Sequence, residues 1–254
     1  MYHELFIALF LLCVGFVAAI TDTIAGGGGL VTLPALLFSG LNPVVALGTN
    51  KFQTVVAEAG STIYFLKKKE INLKIIVFGI FFVILGSVVG TFLLQIVPIK
   101  SLEKIIPILL TYVFVQLLFS FFRKAKEKQK AHFLDHKKYP FSILGASIGF
   151  YNGFFGPGTG SLWTMILMQF FKLDIKTAIM YTKPLNLAGN LSALLVFTLL
   201  SKVAYFYAFV MSLGAYAGSK VGGHIVLYKK LSWIKLFFII ILFISTLATY
   251  FKYY

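Results

Sequence analysis

Two glycine runs and two lysines have chemistry out of keeping with the apolar sequence around them. Asp22 is followed by Gly26, Gly27, Gly28 and Gly29, and Asn152 by Gly156, Pro157, Gly158, Thr159 and Gly160, at the same internal spacing. Glycine is costly inside a helix and proline removes a backbone donor, so each run predicts a break after which a short helix restarts, at Leu30 to Phe38 and Ser161 to Phe171. A helix start presents unpaired N–H groups and about half a positive charge. Two such starts converging on one cavity form a site for an anion. Thr23, Thr32, Thr159 and Ser161 add hydroxyl donors suited to the oxygens of a sulfonate, sulfite or carboxylate. The plainer use of such glycines is to let helices cross closely.

Lys51 and Lys183 stand at matched positions, each preceded by an alanine five residues earlier (Ala46 and Ala178). Each falls roughly 10–12 Å into an apolar helix at 1.5 Å per residue. An ammonium at that depth needs a partner or water, and an anionic substrate would supply one; snorkelling of the stem toward the interface is the alternative. Thr49, Asn50, Gln53, Thr182, Asn186 and Asn190 would line the same helix faces. Asp22 and Asn152 are matched, yet only Asp22 can ionise: it would cap the restarting chain, repel a wrongly placed anion or carry a coupling proton. Glu58, at i+7 from Lys51, shares its face and would pair with it through water or join in proton coupling. Lys220 and His224 fall near the end of their span, where headgroup contact or snorkelling explains them. The lone Cys13 can form neither an internal disulfide nor a thiol metal site, and no cofactor or metal is expected.

Residues placed this way need helices immersed in lipid to hold them. Of 254 residues, 59% are hydrophobic and 12% charged, too little polar surface to cover a water-soluble globule. Val44 to Leu66, Leu73 to Ile96, Ile99 to Phe122, Val203 to Leu227 and Leu231 to Tyr250 each reach the roughly 20 residues that cross a bilayer core. The +15 charge sits in short loops between these spans, where membrane topology accounts for it and nucleic-acid binding does not. Met1 to Glu4 lacks a basic leader region, so the first segment is expected to be retained.

The chain reads as two copies of one unit. The glycine breaks, the Ala-to-Lys motifs, and Gly86-x-x-x-Gly90 answered by Gly214-x-x-x-Gly218 recur in one order. Residues 1–122 form the first transmembrane repeat, 123–139 a basic cytoplasmic connection and 140–254 the second repeat. Each repeat is a broken segment (Leu5 to Gly40; Phe141 to Phe171) followed by three apolar helices. If the broken segment enters and returns as a hairpin, the loops at 67–74, 123–138, 172–176 and 229–235 share one side, with 16 of the 23 basic residues. Lys100, Lys104, Lys202 and Lys252 face them, an asymmetry that puts both termini outside and inverts the second copy relative to the first. Inverted repeats with paired broken helices are a recurrent plan of secondary transporters, with the substrate between the breaks near the midplane. The expected fold class is therefore all-α and polytopic, with two inverted repeats. The expected mechanism is alternating access, one half rocking against the other.

These residues resemble the TauE/SafE sulfite-exporter family, also called TSUP, of multi-pass permeases. The resemblance lies in Asp22-Thr-Ile-Ala-Gly-Gly-Gly-Gly-Leu with Pro34, in Ala46-Leu-Gly-Thr-Asn-Lys51, and in the run from Gly149 to Ser161 followed by Thr182-Lys-Pro-Leu-Asn186. It implies transport of sulfur-containing anions such as sulfite or sulfonates, and a prokaryotic inner-membrane location. Asn152 stands where an acid is expected, and Pro184 interrupts the second lysine motif. Three other readings compete. A passive anion channel would use the same helix starts and lysines. An intramembrane enzyme would need a constellation that is missing, with no H-E-x-x-H, nucleophile–histidine pair or Walker-type loop. A structural scaffold would not need paired breaks. The glycine pairs at 86/90 and 214/218 either pack within one subunit or mark a homodimer face.

Overall fold

The computed structural model describes residues 2–122 and 138–229, together with helical positions 240, 243, 244, 246, 247, 250 and 251. Among them the regular structure is entirely helical. α1 (Tyr2–Ala25), α2 (Gly29–Phe38), α3 (Pro43–Lys67), a 3₁₀ turn (Leu73–Ile75), α4 (Val77–Gln95) and α5 (Ile99–Phe122) precede α6 (Lys138–Phe154), α7 (Thr159–Gln169), α8 (Ile175–Leu199) and α9 (Tyr205–Tyr228). Four of the five apolar stretches read from the sequence are thus α3, α4, α5 and α9. Most of Leu231 to Tyr250, and the basic connection up to residue 137, lie outside the described residues.

The same local chemistry starts matching helices in the two halves. Asn42 caps α3 by accepting the Val45 N–H at 3.0 Å, with Pro43 in the first turn. Asp174 caps α8 by accepting the Lys176 and Thr177 N–H groups at 3.1 and 3.2 Å. An oxygen side chain just before the first turn satisfies donors that the helix cannot. At both breaks the chain turns at a glycine in the left-handed region, Gly26 at φ +73° and Gly156 at φ +96°.

Two large apolar clusters mark opposite ends of the bundle. One joins Leu30 to Leu37 of α2, Val44 and Leu47 of α3, Leu102 and Ile106 of α5, Phe155, Phe197 and Val203, with Ile7 and Leu11 of α1. The other joins Phe65, Ile71 and Ile76 with Phe141 of α6, Trp163 and Leu167 of α7, Phe171, Leu173 and Val226. The chain leaves the first cluster along α1, turns at Gly26 and returns to it along α2. It leaves the second along α6, turns at Gly156 and returns to it along α7. α2 and α7 have 10 and 11 residues, about 15 Å of rise each, half of a bilayer core of about 30 Å.

The halves interleave. α4 of the first packs most extensively on α6 of the second, and α9 of the second on α1 of the first, with α3 and α8 between them. The small-residue motifs make this possible. A methyl group at Gly86 or Gly90 would stand 2.1 Å from a carbonyl oxygen of α6 (Ala146, Phe150), and one at Gly214 or Gly218 2.0 or 2.2 Å from a carbonyl oxygen of α1 (Leu12, Phe16). Both glycine pairs are therefore occupied in crossings within the chain.

The molecule is inside-out by the standard of a soluble domain. α4 exposes Val77, Phe81, Leu85, Val89 and Phe92, and α9 exposes Phe206, Phe209 and Leu213, while Asp22, Lys51, Glu58 and Lys183 are buried. An apolar surface of this extent belongs in lipid. α1 from Leu5 to Ala25 and α4 are each long and apolar enough to cross a membrane.

Candidate functional site

The two breaks meet in the interior. A methyl group at Gly26 would stand 2.2 Å from the Ser161 nitrogen and 2.3 Å from the Gly160 carbonyl carbon, and one at Gly29 2.8 Å from the Pro157 Cα. Only glycine permits this approach of backbone to backbone. Around the junction lies a small hollow lined by Asp22, Gly26, Gly29, Asn50, Thr54, Glu58, residues 156–160, Asn186 and Asn190.

Both short helices begin at its wall. Within the turns, Leu30 N–H donates to the Gly27 carbonyl, Val31 and Thr32 to Gly28, Thr159 to Gly156, and Ser161 and Leu162 to Gly158. The amides of Gly29, Gly158 and Gly160, all lining the hollow, are not taken up by these intramolecular bonds. They are the N–H groups a helix start leaves over, and the positive ends of two helix dipoles stand behind them.

Each lysine reaches across to the other half. Lys183 on α8 donates to the Asp22 carbonyl and, at 2.9 Å, to Asp22 Oδ2. Lys51 on α3 donates to the Asn152 carbonyl at 2.6 Å and to the Asn152 and Asn190 side-chain oxygens, the latter at 2.9 Å. The pre-break residue of one half is thus held by the lysine of the other, with an ion pair on one side and amide contacts on the other. Glu58 and Asn190 are also counterparts, 132 residues apart, and bond directly, Asn190 Nδ2 donating to Glu58 Oε2 at 2.9 Å. Asn190 therefore links Lys51 to Glu58, in the place where the sequence suggested water.

Of the other candidate residues, Asn50 accepts from the Thr32 hydroxyl, tying α2 to α3, and Thr182 meets Thr164 at 3.2 Å, tying α7 to α8 at the matched place. Asn186 lines the hollow with a buried Oδ1 that has no hydrogen-bond partner among the described residues. The Thr159 and Ser161 hydroxyls donate back to the Gly156 and Gly158 carbonyls, which fixes the second turn. Gly28 N–H points to Asp22 Oδ1 at 3.4 Å, the long remnant of a cap, and Gly27 serves through its carbonyl. Thr49 lies apart: its hydroxyl donates to Val45 and accepts the Ala204 N–H at the start of α9. Lys51 and Lys183 stand behind the pre-break residues, outside the hollow's lining. His224 sits 3.5 Å from the Tyr64 hydroxyl, and Lys220 stacks 4.0 Å over the Tyr216 ring.

A family model described as "Sulfite exporter TauE/SafE" matches residues 11–249. The chain belongs to the TauE/SafE family. Among its relatives is a "Probable membrane transporter protein" of Haemophilus influenzae, 36% identical over 236 residues, covering 93% of this chain and 91% of the relative. YfcA of Escherichia coli, also described as a probable membrane transporter protein, is 36% identical, covering 85% of this chain and 79% of its own length. ORF9 of a Sinorhizobium species carries the same description at 32% identity, with 91% and 88% covered. No solved structure matches the chain.

In this TauE/SafE protein, sequence reasoning found the breaks and the lysines but missed that each lysine serves the opposite half. It also missed Thr54 in the lining and the Ser87 hydroxyl, which bonds the Gly189 carbonyl at 2.6 Å and ties α4 to α8. The repeat offset carried a usable signal, because it pairs Glu58 with Asn190.

Proposed function

We propose that this membrane protein carries small organosulfur or related anions, such as sulfite or sulfonates, by alternating access around the hollow between the two breaks. The observation that carries this reading is the meeting of two helix starts at Gly26–Gly29 and Gly156–Gly160 around a shared hollow lined by Gly29, Gly158 and Gly160, whose amides the turns leave over. Amide N–H groups at a helix start hold anions without requiring a buried cation to be released from its own partner. The hairpins entering from opposite apolar clusters support inverted repeats. The loops beside the second cluster carry Lys67, Lys68, Lys69, Lys74, Lys172, Lys176 and Lys229, against Lys100, Lys104 and Lys202 beside the first. That bias supports a multi-pass inner-membrane topology in a prokaryote, with the first cluster and both termini outside.

The test is counter-flow of labelled sulfite, sulfoacetate, taurine, thiosulfate and methanesulfonate in vesicles holding the purified protein. Saturable exchange of at least one of them is expected. Absence of flux for all five removes the anion reading, and unsaturable conductance in planar bilayers would replace the carrier with a passive channel.

A further inference from the structure

Four ionisable side chains are buried around the breaks, and their pairing is uneven. Asp22 and Lys183 form a direct ion pair at 2.9 Å. Lys51 donates to three neutral oxygens, one for each hydrogen of an ammonium. Glu58 is fully buried and lines the hollow, yet touches no cation among the described residues. Its Oε2 accepts from the neutral Asn190 amide, Asn186 stands nearby, and its Oε1 has no hydrogen-bond partner. Of the charged groups around it, Asp22 on α1 carries the same sign, Lys183 on α8 and Lys51 on its own helix the opposite one, and Asn190 hydrogen-bonds both Lys51 and Glu58. α9, packed on the same helix, offers the Ser219 hydroxyl near Gly60 and turns Lys220 to Tyr216 and His224 toward Tyr64.

With all four groups ionised, two positive and two negative charges cancel. A monoanion entering among the amides would then leave a net negative charge in the largely buried interior, which is expensive. One carboxylate must become neutral. Asp22 is fixed by its ion pair, whereas Glu58 has a free oxygen, a neutral neighbour and a place on the wall. Resting on the anion-carrier reading, we infer that Glu58 takes up one proton whenever a monoanion occupies the hollow, so that proton and anion cross together in the same direction. The proton comes from the water that the hollow faces, bonds to a Glu58 carboxyl oxygen, and leaves with the anion on the far side. No second carboxyl is free to neutralise a dianion, so sulfate should be excluded while monoanionic sulfonates are carried.

The probe is labelled methanesulfonate, a monoanion with no titration of its own in the working range, in vesicles carrying wild-type protein and an internal pH indicator. The readout is protons moved per anion, a ratio independent of turnover rate. One proton per anion is expected for wild type, and none for Glu58→Gln in whatever flux that variant retains. A wild-type ratio of zero, or an unchanged ratio in Glu58→Gln, overturns the proposal. If Glu58→Gln yields no folded protein, calorimetric titration of wild type with methanesulfonate in buffers of different ionisation enthalpy gives the proton uptake directly; one per anion supports it and zero overturns it. No flux or binding of any anion in wild type instead removes the carrier reading on which it stands.

Discussion

The Asp22–Lys183 pair sets a stability prediction that the chain itself calibrates. Both side chains are buried, at 10% and 1% exposure. Lys183→Ala leaves the Asp22 carboxylate without its cation, with only the long Gly28 N–H contact, and the carbonyl with the Gly26 N–H alone; removing one partner of a buried ion pair costs about 3–5 kcal/mol. Asp22→Asn is a milder change. It keeps shape and an acceptor oxygen and recreates the contact that Lys51 already makes with Asn152, so the loss is the difference between an ion pair and an ammonium-to-amide hydrogen bond, about 1–2 kcal/mol. In the double variant no carboxylate is stranded. The two costs should therefore fall short of additivity by about 2 kcal/mol, within the range seen for directly contacting residues. The assay is equilibrium unfolding of the four proteins in detergent, followed by circular dichroism and arranged as a double-mutant cycle. Costs that add to within about 0.5 kcal/mol, or an Asp22→Asn loss as large as that of Lys183→Ala, would refute the reasoning.

Gly26→Ala places a side chain at φ +73° and a Cβ 2.2 Å from the Ser161 nitrogen; about 1–2 kcal/mol of backbone cost plus about 1–3 of overpacking should appear in thermal unfolding, with counter-flow abolished. Gly40→Ala, at φ +89° with nothing within 4 Å of the new Cβ, should show the backbone cost alone and keep its flux. Gly214→Leu must lift α9 off α1, because its Cβ would lie 2.0 Å from the Leu12 carbonyl oxygen, and should lose the monodisperse peak in size exclusion. Lys51→Ala frees the Asn152 and Asn190 acceptors and should abolish transport while insertion into the membrane persists; wild-type flux would remove Lys51 from the mechanism.

The helices were legible because their causes are local. Asn42-Pro43, Asp174 and the glycine runs announce starts and breaks through backbone chemistry that any reader of the sequence can apply. The leftover amides at the hollow followed from the same rules, since a broken helix must leave donors over. What could not be read is which half answers which. Lys51 and Lys183 looked unpaired because their partners lie 101 and 161 residues away, and periodicity along one helix says nothing about a neighbour that distant. The cap expected of Asp22 is present at 3.4 Å, but its stronger contact comes from α8 in the other half and was hidden for the same reason. Thr49 shows the opposite error. Its place next to Lys51 in sequence suggested the site, yet it faces the start of α9.

Interleaving also constrains how the site can open. The sequence suggests that one repeat rocks against the other, but α4 and α6 belong to different repeats and share the tightest crossing in the bundle, as do α1 and α9. Moving one repeat as a body would have to pull carbonyl oxygens away from glycines that admit no side chain, at both crossings together. If α4–α6 and α1–α9 instead move as units around the α3–α8 core, tying α4 to α6 should not matter. Gly145 offers the place to tie them, because a Cβ there would stand 3.3 Å from the Phe82 Cβ, a few tenths of an ångström from the usual disulfide range of about 3.5–4.5 Å. The pair Phe82→Cys and Gly145→Cys, in a background where Cys13 is replaced by serine, should form a disulfide on oxidation and exchange anion at the same rate oxidised and reduced. Flux lost on oxidation and restored by a reductant would show that α4 and α6 must part, and would return the motion to the repeats themselves.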